Sequence, residues 1–169
     1  MIFVTVGNAD PFDRLLRAMD RWIDDYAITD PVLAQIGNGH YQPKNIEYVR
    51  FQTPIEYRAS FEKSRFVVAH AGMGSIITAI ELQKSIVVMP KRASLGEQRN
   101  EHQLATIQYF KKYPKIRVAE SEVELPLVLN EVLQNAMTSD APNPTEGTVW
   151  LPDESLINFV HQFITTGRS

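Results

Sequence analysis

Two stretches of this chain carry residue types whose spacing can do chemistry. The first is the turn His70-Ala71-Gly72-Met73-Gly74-Ser75. Gly72 and Gly74 put no side chain where backbone amides meet solvent, so a bulky anion can approach the chain closely. Before the turn stands a short apolar run, Phe66-Val67-Val68-Ala69, of the kind that forms a buried parallel strand. After it a helical pattern runs to Glu81, and the start of a helix offers unpaired N–H groups and the positive end of its dipole. Strand, glycine turn and helix start together make a cradle for phosphate. Ser75, Thr78 and Glu81 share one face of that helix, with Ile76, Ile77 and Ile80 turned to the sheet. At about 1.5 Å rise per residue Glu81 lies roughly 9 Å beyond Ser75, with its side chain leaning back towards the helix start. A carboxylate there suits the two hydroxyls of a ribose whose diphosphate fills the turn; the other reading is a solvated glutamate on an exposed face.

The second stretch joins Lys91-Arg92 to Arg99-Asn100-Glu101-His102-Gln103. Asn100 with Gln103 fits a capping box, Asn as N-cap and Gln folding back on its amide. The same side chains, at a helix start beside an anion-binding turn, can hold a sugar's hydroxyls (His102, Gln103) and its diphosphate (Arg92 or Arg99). No second His or carboxylate follows His102 by four residues, so a metal site there is not expected. Asp24 and Asp25 read as solvated carboxylates at a helix end rather than a metal pair. No metal and no cofactor is therefore expected. His70 reads first as a hydrogen-bonded residue that orients the loop and second as a catalyst, and His40 stands on another loop able to reach the same place.

These residues need a scaffold, and the chain supplies one by alternation. Apolar strand patterns at 2–6, 32–36, 46–51, 66–70, 86–89 and 116–119 alternate with helical patterns. The helices run from Asp10 or Pro11 to Tyr26, from Pro54 to Lys63, through Glu81, from Asn100 to Lys112 and from Glu122 to Met137. Such alternation implies an α/β fold, a doubly wound parallel sheet covered on both faces. Ligands in such folds bind beyond the carboxyl ends of the strands, where strand order reverses. The loops at Gly7-Asn8, Gly37, Ala71 and Pro90 all leave at that edge and converge on one crevice. Residues 1–137 form the expected domain. A linker at 138–147, with two prolines, leads to Trp150, Leu151 and a last helix at 153–165 with an apolar stripe of Leu156, Phe159, Val160 and Phe163.

Composition sets outer bounds. With 44% apolar and 22% charged residues, 169 residues suit one soluble domain with a substantial core. A net charge of −3 argues against a nucleic-acid binder. There is no cysteine, hence no disulfide framework or thiolate metal site. Met1-Ile2-Phe3-Val4 leads straight into a strand without a charged leader, and no apolar run approaches the ~20 residues that span a bilayer, so a cytoplasmic protein is expected.

The motifs His70 to Ser75, Ala79-Ile80-Glu81-Leu82, Val87 to Arg92 and Glu97 to Ala105 resemble the carboxyl-terminal half of glycosyltransferase family 28. The opening Ile2-Phe3-Val4-Thr5-Val6-Gly7, with Phe12-Asp13-Arg14-Leu15, is similar to its single-domain members. These include bacterial exopolysaccharide glucuronosyltransferase subunits, the closer of two types in resemblance. The cytosolic subunit of the enzyme adding the second N-acetylglucosamine to dolichol diphosphate is also related. The similarity covers roughly residues 1–120 and implies a Rossmann-like fold, the donor-binding half of a GT-B enzyme. It implies that Gly72, Met73, Gly74 and Ser75 hold the diphosphate of a UDP-sugar, Glu81 the uridine ribose, and His102 with Gln103 the sugar. It also implies a lipid-linked sugar acceptor and a membrane-associated partner subunit, because GT-B chemistry happens between two domains and only one is here. Three positions depart from the family pattern. Asn8 stands where Thr usually follows the first glycine, Gln83-Lys84-Ser85 replaces Gly-Lys-Pro, and Glu101 replaces Asp. The second departure predicts either a left-handed cap without glycine, at a cost of about 1 kcal/mol, or a different helix exit.

Overall fold

The computed structural model describes residues 1–138. Six parallel strands form one sheet in the order β3-β2-β1-β4-β5-β6. They are β1 (Ile2–Thr5), β2 (Val32–Gln35), β3 (Glu47–Val49), β4 (Phe66–His70), β5 (Ile86–Met89) and β6 (Ile116–Val118). The helices are α1 (Asp13–Asp25), α2 (Pro54–Lys63), α3 (Met73–Glu81), α4 (His102–Phe110) and α5 (Leu125–Thr138). The chain winds outward from β1 to β3, returns to place β4 on the other side of β1, and winds outward again. The order therefore reverses between β1 and β4, whose register pairs Thr5 with Ala69.

Alternation along the buried strands divides the core into two layers. Ile2, Val4, Phe66, Val68, Val87 and Met89 face α1 and α5, packing on Leu15, Leu16, Met19, Trp22, Leu125 and Leu129. Phe3, Val67, Ala69, Ile86 and Val88 face the other way, onto Phe61 of α2, Ile76 and Ala79 of α3, and Ile107 and Phe110 of α4. Both faces of the central strands are buried, which is why they read as unbroken apolar runs.

Local chemistry explains most element ends. Pro54 opens α2 behind a capping box in which Thr53 Oγ1 accepts from the Glu56 amide and Glu56 accepts from the Thr53 amide. The exit of α3 resolves the choice posed by Gln83: it adopts φ +53°, so the left-handed cap is kept without glycine. The Lys84 amide donates to Ala79 O at 2.8 Å and the Gln83 amide to Ile80 O at 3.0 Å, the paired bonds of a Schellman ending.

Other boundaries differ from the sequence pattern. The first strand ends at Thr5, α1 begins only at Asp13, and the third strand contracts to three exposed residues at the sheet edge. The helix expected from Asn100 begins at His102, and a single 3-10 turn at Ala93–Leu95, closed by Gly96 at φ +69°, precedes it. Thr138, the first linker residue of the sequence reading, ends α5. The remainder of that linker and the helix at 153–165 lie outside the described residues.

Candidate functional site

The ends of β2 and β4, the loop after β1, the segment from β3 into α2 and the start of α3 border a cavity of about 390 Å³ at the reversal point, which the loops at Gly37 and Pro90 do not line. Its floor is Gly7, Asn8 and His70; Gln35 and Gln52 form one wall, and Pro54 and Tyr57 of α2 another. Gly74, Ser75 and Thr78 of α3 complete it. Among the described residues no carboxylate lines it, and its polar lining groups are hydroxyls, amides and the His70 imidazole. The N-cap of α3 is Gly72, which has no side chain to cap the helix, so the first-turn amides keep no side-chain partner. The positive end of α3 thus opens into a neutral polar cavity, an electrostatic setting for an anion.

Packing at the crest of β4 dictates the glycines. Gly7 has φ +80°, and a Cβ there would lie 2.7 Å from His70 Cε1. At Gly72 a Cβ would lie 2.1 Å from His70 Nε2. The imidazole is therefore sandwiched by two residues that must lack side chains. Burial, reinforced by the nearby Lys91 charge and opposed by the Thr5 backbone, pulls the His70 pKa down to about 4. The ring is neutral at pH 7, and its buried Nδ1 closes no hydrogen bond among the described residues.

A polar chain braces the opposite wall. Gln35 Nε2 donates to Asn8 Oδ1 at 2.8 Å, and Gln35 Oε1 accepts from the Gln52 amide at 3.1 Å. Gln52 Nε2 in turn donates to Ser60 Oγ at 2.8 Å. Asn8, the first departure from the family pattern, is held by this chain. Tyr57 Oη and Ser75 Oγ share a hydrogen bond of 2.9 Å, which ties α2 to the start of α3, and Thr78 Oγ1 donates back to Gly74 O at 2.9 Å.

Of the residues singled out from sequence, Gly7, Asn8, His70, Gly74 and Ser75 line this cavity and Gly72 packs beneath it. Met73 packs instead against the second core layer. Glu81, two turns further along α3, is exposed and 3.6 Å from Arg58 Nη1, outside the cavity wall. The loop from Lys91 to Gln103 leaves the same sheet edge beside β4, yet Arg92, Asn100, His102 and Gln103 do not line the cavity. Arg92 sends Nη2 to Glu120 O at 2.9 Å. The capping box of Asn100 and Gln103 does not form. Glu101 is the N-cap, Asn100 Oδ1 accepts from the His102 amide at 3.3 Å, and Gln103 Oε1 accepts from the Lys91 amide at 3.0 Å. Gln103 folds back on the incoming loop rather than on its own helix, because the Lys91 amide takes its side-chain oxygen. Lys91 itself is buried, its ammonium given to Asp10 O, and burial lowers its pKa against the pull of Asp10 and Glu97. Gln35, Gln52 and Tyr57 escaped the sequence reading. Gln35, a polar residue inside an otherwise apolar strand, was the available signal.

A parallel sheet reversing at a glycine turn, with an uncapped helix behind it, makes a Rossmann-like fold of the kind found in the C-terminal domains of GT-B glycosyltransferases. The profile of the glycosyltransferase family 28 C-terminal domain matches residues 1–147, and the chain belongs to that family. No curated protein matches it by sequence. Among solved structures it is similar to MurG of Acinetobacter baumannii, at 14% identity and a TM-score of 0.55. It is also similar to the solution structure of ALG13 (16%, 0.54) and to the glycotransferase of kitacinnamycin (17%, 0.53). These likenesses concern the fold. The match covers 80% of this chain and 40% of MurG, and 83% of this chain and 35% of the kitacinnamycin enzyme. Against ALG13 it covers 99% of this chain and 96% of that one. The chain thus spans well under half of the two longer relatives. Among the described residues no helix is long and apolar enough to cross a membrane.

Proposed function

We propose that this chain is the donor-binding component of a two-component glycosyltransferase that moves a sugar from a UDP-sugar to a lipid-linked acceptor, in exopolysaccharide or related glycan synthesis. The observation that carries this reading is the uncapped start of α3 opening into a cavity with, among the described residues, no carboxylate in its walls. There the helix dipole favours a diphosphate and stabilises it as a leaving group without a metal. Ser75 and Thr78 contribute hydroxyls, Glu81 takes the ribose, and the loop from Arg92 to Gln103 takes the sugar and the outer phosphate. In this reading the general base that activates the acceptor hydroxyl sits on a second, membrane-associated component that presents the acceptor.

A titration of UDP, UMP, UDP-sugars and NADH against thermal unfolding tests the donor site. The expected outcome is stabilisation by UDP and UDP-sugars, growing with concentration as mass action requires, and none by NADH. Absence of any shift with UDP overturns the reading. Turnover by the reconstituted pair then separates a catalytic donor subunit from a non-catalytic enhancer: the first loses turnover with Glu81→Ala while the complex persists, the second does not.

A further inference from the structure

The loop from Lys91 to Glu101 is long and nearly devoid of regular structure, yet it carries the groups assigned above to the sugar. Many of its hydrogen bonds are internal. The Leu95 and Glu97 amides return to Arg92 O, Gln98 Nε2 donates to Lys91 O, and Glu101 Oε1 accepts from the Ser94 amide. Internal bonds fix the shape of a loop but not its placement over the domain.

The loop's ends are tied down by Lys91 Nζ on Asp10 O, the Lys91 amide on Gln103 Oε1 and Arg92 Nη2 on Glu120 O, and its middle is tied down by Arg14 of α1. Arg14 Nε and Nη2 make a two-pronged pair with Glu97, each bond 2.8 Å, and Nη2 also donates to Pro90 O at 2.9 Å. Its Nη1 donates to Glu122 Oε2 at 2.7 Å, in the segment leading into α5. Arg14 and Glu97 are only 14% and 12% exposed, so water screens the pair little. Glu97 Oε2 meanwhile accepts the Arg92 amide at 2.9 Å, so the carboxylate held by Arg14 in turn holds the backbone of Arg92. One guanidinium therefore joins α1, the end of β5, the sugar loop and the approach to α5. Only a planar fork with several fixed N–H directions can make these contacts together.

We infer that Arg14, through Glu97, is a positioning residue that sets the loop of Arg92, Asn100, His102 and Gln103 against the donor crevice and so governs recognition of the sugar rather than of the nucleotide. This rests on the donor-site reading above. Arg14 itself lies outside the cavity and touches no lining group among the described contacts, so its effect must travel through the loop.

The test is calorimetric binding of UDP and of UDP-glucose, UDP-N-acetylglucosamine and UDP-glucuronic acid to the full chain and to Arg14→Lys and Glu97→Gln. Each variant keeps the size of its side chain but breaks the two-pronged pair. The wild type is expected to bind one UDP-sugar at least ten-fold more tightly than UDP. Both variants should keep UDP affinity within about two-fold and lose most of that ten-fold preference. Equal losses for UDP and UDP-sugar, an undiminished preference, or unfolding of both variants overturns the inference, because the pair then serves the whole domain or nothing in particular. A wild type that binds UDP but prefers no sugar also overturns it, leaving the nucleotide site standing. A wild type that binds no UDP removes the donor-site reading itself.

Discussion

His70 Nε2 occupies the space that a side chain on Gly72 would need, with only 2.1 Å between the ring nitrogen and the position of a Cβ. Gly72 has φ −88° and ψ 139°, values open to any residue, so glycine is demanded there by crowding and not by backbone conformation. Gly72→Ala should therefore destabilise the protein by about 1–3 kcal/mol, the usual range for overpacking a confined site. Combining it with His70→Ala should recover much of the loss, since removing the ring removes the clash, and chemical denaturation of the double-mutant cycle measures that coupling. Gly74 makes the contrast: a Cβ there meets nothing within 4 Å. Gly74→Ala should leave the melting temperature unchanged or slightly raised, as expected for alanine in a helix, while narrowing the mouth of the cavity and weakening UDP binding.

The same imidazole predicts a pH dependence of stability. In the unfolded chain His70 takes a proton near its ordinary 6.5; in the native state burial holds the pKa at about 4. Between these values unfolding takes up a proton, so stability is complete above about pH 6.5 and declines as pH falls towards 4. The linkage is worth about 3 kcal/mol over that interval. Urea titrations at pH 7 and pH 4.5 should show this decline in the wild type and a shallower one in His70→Asn. Parallel slopes for the two proteins reject the assignment.

The elements of this fold were legible because each announces itself locally. Val67-Val68 and Val87-Val88 are buried on both faces, and Pro54 with Thr53 marks a helix start to the residue. The turn between β4 and α3 was legible for the same reason, since its small residues stand in consecutive positions. The contacts that shape the rest of the site join residues far apart in sequence. Gln35 meets Asn8 and Gln52, and Arg14 meets Glu97 and Glu122. No periodicity encodes such pairings. The capping box at Asn100 failed because Lys91, twelve residues earlier, offered Gln103 a better donor. Local motif logic has no term for a competing strand-end loop.

Asp20 is another long-range organiser, hidden from sequence because it looks like any acid on an amphipathic helix. It is 4% exposed and accepts from Tyr41 Oη at 2.6 Å, the Asn45 amide at 2.8 Å and the Lys44 amide at 3.0 Å. Burial alone would raise its pKa, but these donors outweigh burial and hold it below the ordinary carboxyl value. Its contribution is therefore present above the unfolded-state pKa and is lost only as pH falls through the lower native one, below the window where His70 acts. Asp20→Ala strands three donors and frees the loop between β2 and β3. A loss of about 2–4 kcal/mol in denaturant midpoint analysis is expected, with UDP affinity changed less than two-fold in whatever remains folded.

Glu81 puts the nucleotide reading at most risk, because it lies outside the cavity wall and its visible partner is Arg58. That ion pair is 3.6 Å long and more than half exposed on both sides, so removing it should move stability by no more than about 0.5 kcal/mol. Any large effect of Glu81→Ala on binding must then come from lost contact with ligand. If the carboxylate clasps the ribose, the variant should bind UDP about ten-fold or more weakly, as expected when a charge-assisted hydrogen bond is removed, and should bind inorganic pyrophosphate as the wild type does. Pyrophosphate reports on the helix start alone, whereas UDP reports on helix start and ribose together. Equal weakening of both ligands would mean that Glu81 acts by its charge on the whole crevice, and unchanged binding of both would return it to the solvated surface.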